Sequence, residues 1–126
     1  EGRGRRIGFP TANVRPDTPD KLLPGDGVYA VRVLIDGARM GGVANIGSRP
    51  TFGGKGRTLE VHALGFTGDL YGRCVEVTFL SRIREERKFG GVPELVAQIR
   101  EDVEVARQRL ALTADGEDGG RISRIA

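Results

Sequence analysis

Gly27-Val28-Tyr29-Ala30-Val31-Arg32-Val33-Leu34-Ile35-Asp36-Gly37-Ala38-Arg39-Met40-Gly41-Gly42-Val43-Ala44-Asn45-Ile46 is the stretch that decides how this chain folds. Tyr29, Val31, Val33 and Ile35 recur with a period of two, which sets them on one face of a half-buried strand from Val28 to Ile35. Asp36-Gly37 follows at once, and this dipeptide is a tight hairpin signal. A return strand is therefore expected from about Ala38 to Ile46. Gly41-Gly42 within it permits a bulge or the close approach of a neighbour.

The same period continues outward. Over Thr58 to Leu64 it places Leu59, Val61 and Ala63 on one face and Glu60 and His62 on the other. Over Cys74 to Leu80 it aligns Val75, Val77 and Phe79 in a last long strand. Then the period changes. From Pro93 to Leu110, apolar Leu95, Val96, Ile99, Val103, Ala106 and Leu110 fall largely three and four apart among charged residues, the pattern of one amphipathic helix. Pro93-Glu94 suits its first turn. Pro16, Pro19 and Pro24 make a connector of Val14 to Gly25, since proline is excluded from helix interiors and central strands. Gly47 to Gly56 reads as a glycine-rich loop, and the polar tail 113–126 is expected to be disordered.

A chain of 126 residues suits one domain with its own core. Hydrophobic residues make up 38% and charged ones 29%, and no apolar run approaches the roughly 20 residues of a membrane span. Twenty glycines and the scarcity of helical periods in the first two thirds favour a mainly β fold. The net charge of +3 is bunched at Arg3, Arg5 and Arg6 and again at Arg82, Arg84, Arg87 and Lys88. Such bunching serves a nucleotide phosphate, a nucleic acid or solubility, and charge alone does not choose. Cys74 is the only cysteine, which excludes an internal disulfide framework and a cysteine-rich zinc site. A reducing cytoplasm is the natural inference. No secretory leader pattern is visible.

Chemistry concentrates in Gly8-Phe9-Pro10-Thr11-Ala12-Asn13, just after the basic run Gly2-Arg3-Gly4-Arg5-Arg6. Glycines let backbone N–H groups approach phosphate oxygens, and arginines supply positive potential. The Thr11 hydroxyl and the Asn13 amide oxygen are hard donors of the kind magnesium prefers. A surface turn would use the same residues. Gly53-Gly54-Lys55-Gly56 fails the phosphate-binding P-loop, because Arg49 stands where its first glycine belongs and Gly56 where Ser or Thr belongs. Taken alone, Glu60 reads as a surface carboxylate and Ile83 to Phe89 as a solvated charge run.

Six segments in order resemble the riboflavin kinase (flavokinase) family, as found in the C-terminal module of bacterial bifunctional riboflavin kinase/FAD synthetases. They are Gly8 to Asn13, Gly27 to Ala30, Gly42 to Phe52, Leu59 to His62, Gly68 to Gly72, and Ile83-Arg84 with Lys88-Phe89. The resemblance runs from Gly2 to about Leu110. It implies a six-stranded, Greek-key-like closed β-barrel with a C-terminal helix, a kinase domain over 1–112, and a first strand preceding Gly2. The implied reaction is ATP-dependent phosphorylation of the riboflavin 5′-hydroxyl, giving FMN and ADP. Glu60 would be the catalytic base and a flavin contact. Gly2, Gly4, Arg5, Gly8, Pro10, Thr11 and Asn13 would bind ATP, Thr11 and Asn13 would hold Mg²⁺, and Arg84 and Phe89 would face the flavin. The parent protein would be able to carry an FMN adenylyltransferase domain. Ala63-Leu64-Gly65-Phe66 departs from the family's LLDF at positions outside the implied chemistry.

Two other readings use the same residues. A nucleic-acid-binding barrel would need aromatic platforms, whereas the chain has no tryptophan, two tyrosines and five phenylalanines. A flavin-binding module without catalysis would be favoured by a Glu60 turned to solvent or away from Thr11.

Overall fold

The computed structural model describes residues 11–15, 23–51, 54–66, 73–112 and 121–123. Asp36 and Gly37 take φ values of 50° and 84°, so both centres of the turn are left-handed, as a two-residue hairpin twisted with its strands requires. The turn joins β2 (Gly27–Ile35) to β3 (Ala38–Thr51), and the register runs without a break from Ile35↔Ala38 to Gly27↔Ile46. Strand β3 then pairs with β4 (Gly54–Ala63), from Thr51↔Gly54 to Gly42↔Ala63. The loop expected over Gly47 to Gly56 is thus largely strand. Its glycines and Pro50 lower the local β preference, but the antiparallel ladder to β4 overrides it.

Strand β1 (Ala12–Val14) pairs with β4, β5 (Val75–Arg84) with β2, and β6 (Arg121–Ser123) with β5, giving the order β1-β4-β3-β2-β5-β6. Every pairing is antiparallel. Among the described residues β1 and β6 end the sheet and do not pair with each other, so hydrogen bonds do not close it into a barrel. Two further expectations change. Asn13 lies in a strand rather than a turn, and Arg121–Ser123, within the tail expected to be disordered, forms a strand backbone.

One face of the sheet carries the core. Val14, Tyr29, Val31, Val33, Ile35, Ala44, Ile46, Leu59, Val61, Ala63, Val75, Val77 and Phe79 pack there with Leu23. These are the apolar residues of the period-two pattern, and fully burying each of the larger aliphatic ones contributes about 1.5–3 kcal/mol. The Tyr29 and Phe79 rings meet edge to face at 5.3 Å, and the Tyr29 hydroxyl donates to the Gly25 carbonyl at 2.6 Å. The connector is tied down at Asp26, which accepts from Ser48 Oγ at 2.7 Å and from Arg57 Nη2 at 3.0 Å.

The opposite face of β2 is also covered, since Val28 and Ala30 are 2% and 0% exposed. Helix α1 (Val92–Leu112) lies over β2, β3 and β5 and buries Ala106 and Asp102. Its Leu110 occupies the space a side chain at Gly41 would need, and Arg109 Nη1 donates to Ser81 Oγ at 2.8 Å and to the Arg82 carbonyl at 3.1 Å. Strand β5 runs on to Arg84, past the Leu80 boundary expected from its alternation. Two register shifts, between Val31 and Ala30 and between Tyr29 and Val28, each admit one extra residue of β5. They bring Arg84 rather than Arg82 opposite Val28.

Gly42 tests this packing. A Cβ there would sit 2.8 Å from the His62 carbonyl oxygen and 3.0 Å from Val33 Cγ2, whereas one at Gly25 would meet nothing within 4 Å. Gly42→Ala is expected to lower unfolding stability by about 1–3 kcal/mol in urea titration, and Gly25→Ala to stay within about 0.5 kcal/mol. Equal stability of the two variants would contradict the β3–β4 register.

Candidate active site

The face of the sheet opposite the core carries the polar residues that alternate with core positions. Their cross-strand alignment follows from register alone. Asn13 stands opposite Glu60, Glu60 opposite Asn45, Asn45 opposite Val28, and Val28 opposite Arg84. One lateral row, Asn13–Glu60–Asn45–Val28–Arg84, therefore crosses five strands. Directly opposed residues have Cβ atoms about 4.5–5.5 Å apart. The Glu60 side chain thus emerges between two carboxamides.

The row is graded in exposure because α1 covers only part of it. Val28 is buried under the helix, Asn45 and Glu60 are half-buried, and Asn13 on the edge strand is exposed. Thr11, also exposed, lies two residues before Asn13. Glu60 therefore projects neither into the core nor into open solvent. It shares the row with Asn13, within two residues of Thr11.

Asn45 was not singled out from the sequence. Its Oδ1 is buried and has no hydrogen-bond partner, a state that costs about 1–3 kcal/mol when nothing compensates it. The alternation of β3 signals only that Asn45 shares the face of Gly41 and Gly47. Its position beside Glu60 needs the β3–β4 register, which is a long-range property. Glu86, in the segment after β5, lies over Gly47 two residues further along that face, and a side chain at Gly47 would overlap its carboxylate.

At the helix end of the row Arg84 is held firmly. Its Nε donates to Asp102 Oδ1 at 2.9 Å, its Nη2 to Asp102 Oδ2 at 2.8 Å, and its Nη1 to the Glu85 carbonyl at 2.9 Å. The Arg84 and Asp102 side chains are 18% and 4% exposed, so this is a largely desolvated two-pronged pair. Removing one partner of a buried pair costs about 3–5 kcal/mol. Gln98 Nε2 also donates to Asp102 Oδ1, at 3.0 Å. Two cations lie against Phe89, with the Arg84 guanidinium carbon 5.6 Å and that of Arg87 5.3 Å from the ring centre, and Arg87 Nη2 donates to Gln98 Oε1. Asp102 was missed because a lone acidic residue in an amphipathic helix looks like part of its wet face.

Of the residues singled out from the sequence, the row brings together Asn13, Glu60 and Arg84, with Thr11 close to one end and Phe89 to the other. Glu60 and Arg84 are three strand spacings apart, about 14 Å, so they do not act on one atom. Gly2, Gly4, Arg5, Gly8 and Pro10 lie outside the described residues, as does the segment Gly68 to Gly72. Among the described residues no cluster of three or more His, Cys, Asp and Glu could hold a metal ion. Helix α1 is not long and apolar enough to cross a membrane.

Comparison with known proteins identifies the family. The family model for riboflavin kinase, Flavokinase, matches residues 1–110. A bifunctional riboflavin kinase/FMN adenylyltransferase of Escherichia coli K12 is 49% identical over 111 residues, covering 87% of this chain and 35% of that protein. Its counterpart in Haemophilus influenzae is 49% identical over 105 residues, covering 82% and 33%. That of Bacillus subtilis is 43% identical over 107 residues, covering 82% and 34%. The chain thus spans about a third of the length of these relatives. A crystal structure described as a macrolide-efflux protein from Streptococcus pneumoniae superposes with a TM-score of 0.80 at 41% identity, over 85% of this chain and 35% of that one. With a family match over nearly its whole described length and sequence identities near one half, this chain belongs to the riboflavin kinase family.

Proposed function

We propose that this chain transfers the γ-phosphoryl group of ATP to the 5′-hydroxyl of riboflavin, giving FMN and ADP, with Glu60 as the base. The observation that carries this reading is the place of Glu60, half-buried between Asn13 and Asn45 in one cross-strand row. Phosphoryl transfer asks a protein mainly for positioning and charge stabilisation. The attacking oxygen must lie in line with the phosphorus and lose its proton as the new P–O bond forms and the bond to the β-phosphate oxygen breaks. Glu60 accepts that proton, and its restricted setting between two carboxamides limits the directions from which a hydroxyl approaches.

Gly2, Gly4, Arg5, Gly8 and Pro10 serve the triphosphate in this reading, as backbone N–H groups and positive charge ahead of the edge strand β1. The donor set at that edge, a Thr11 hydroxyl and an Asn13 amide oxygen, suits a hard divalent ion. Thr11 and Asn13 would hold Mg²⁺, which supplies charge neutralisation on the phosphates. The Asn45 carboxamide orients the ribityl chain. The isoalloxazine ring packs against the Arg84 to Phe89 segment, and the separation of about 14 Å between Glu60 and Arg84 suits a substrate with a tricyclic ring at one end and a terminal hydroxyl at the other. A closed six-stranded Greek-key-like barrel, a cytoplasmic setting and an FMN adenylyltransferase domain in the parent protein belong to the same reading. Nucleic acid and membrane do not.

Incubation with riboflavin, ATP and Mg²⁺, followed by chromatography, is expected to yield FMN, and Glu60→Gln to lower the rate by about 10²–10⁴-fold. A substituted protein that forms FMN at the original rate would remove Glu60 from the base role, and no FMN from the unsubstituted protein would contradict the kinase reading.

Asn45→Leu separates function from stability. Asn45 Oδ1 is buried without a partner, and removing it relieves a desolvation cost of about 1–3 kcal/mol. The expected outcome is an unchanged or higher midpoint in thermal melting together with a fall in kcat/KM for riboflavin of about tenfold or more. Full activity in this variant would remove Asn45 from the site.

A further inference from the structure

We propose that Asp102 is a positioning residue for the flavin side of the site, acting through Arg84; the inference rests on the kinase reading above. Arg84 lies at the end of the row and has three of its groups engaged, Nε and Nη2 by Asp102 and Nη1 by the Glu85 carbonyl. A guanidinium fixed at three corners has a fixed plane. Its edge toward the helix is consumed by the Asp102 carboxylate, and its carbon sits 5.6 Å from the centre of the Phe89 ring. Arg84 is thus poorly placed to fork a phosphate and well placed to hold Phe89 and the backbone at Glu85.

The anchor is stronger than a surface ion pair. Asp102 is 3% exposed although it lies on a helix, and Gln98, one turn earlier, donates to the same Oδ1 that accepts from Arg84. Gln98 in turn accepts from Arg87, whose guanidinium lies on Phe89 at 5.3 Å. The carboxylate therefore organises two cations, one directly and one through a carboxamide, and both lie against one aromatic ring. Ring and cations together form a platform of the kind that receives a planar heterocycle by stacking and cation–π attraction. Its rigidity is the functional content, because a preorganised platform loses less side-chain freedom on binding. The helix meets the Arg84 to Phe89 segment through Asp102 and Gln98. A role confined to stability would leave substrate preference untouched, whereas a positioning role acts on flavin and spares ATP.

The test is riboflavin affinity, read from quenching of flavin fluorescence, alongside KM for ATP and thermal stability. Asp102→Asn keeps the shape and removes the charge. It is expected to weaken riboflavin binding by about tenfold or more, with KM for ATP unchanged within about twofold. Asp102→Glu should recover part of the loss. Arg84→Lys keeps the positive charge but not the two-pronged geometry, and should show the same flavin-selective loss. The double variant Arg84→Lys/Asp102→Asn should be no worse than the weaker single, since both remove one interaction. If Asp102→Asn lowers stability and leaves riboflavin affinity unchanged, or weakens both substrates alike, the proposal is overturned. Should Asp102→Asn fail to fold, Arg84→Lys decides, and unchanged riboflavin affinity there overturns it equally. Failure of the unsubstituted protein to bind riboflavin is a distinct outcome, which contradicts the kinase reading and takes the proposal with it.

Discussion

The register of β2 on β3, set by the left-handed pair Asp36-Gly37, is the constraint on which the rest of the molecule depends. Side chains alternate between faces with a period of two, so a slip of one residue would exchange every core position for a surface one. In the observed register Tyr29, Val31, Val33 and Ile35 enter the core, and Asn45 comes to the opposite face beside Val28. Strand β4 inherits that alignment from β3 and β1 inherits it from β4. The β3–β4 and β1–β4 ladders carry that alignment on to Glu60 and Asn13.

A second constraint is the covering of the outer face. Helix α1 packs on β2, whose Val28 and Ala30 are buried on the outer face while Arg32 and Leu34 are half-buried, and Asn13 stays exposed at the sheet edge. The row therefore passes from desolvated to wet. Such a gradient suits a reaction whose phosphate donor is highly charged and whose acceptor carries a large aromatic ring. Arg84 and Asp102 join the helix to the sheet at the dry end, so the contact that orders the fold also orders the segment that carries Phe89.

The central hairpin, the period-two faces of β4 and β5 and the amphipathic helix were legible from the sequence, because each rests on local periodicity or on one turn dipeptide. The length of β3 was not. Gly47 and Pro50 are poor strand formers, and only their partners Thr58 and Lys55 on β4 make that stretch a ladder. The two register shifts in β5 were also invisible, since they replace Arg82 by Arg84 opposite Val28 without disturbing the Val75, Val77 and Phe79 pattern. Of the residues in the row, motif resemblance had named Asn13, Glu60 and Arg84. Asn45 and Asp102 escaped because their significance lies in what they face across the sheet and beneath the helix, and one-dimensional spacing carries no trace of either.

The most direct test of the account is a structure of the protein with riboflavin, Mg²⁺ and a non-transferable ATP analogue. The account predicts the riboflavin 5′-oxygen within hydrogen-bond reach of the Glu60 carboxylate, about 2.6–3.2 Å, with the terminal phosphate on the Thr11 and Asn13 side and the ring against Phe89. A flavin seated away from this row, or a 5′-oxygen out of reach of Glu60, would contradict it.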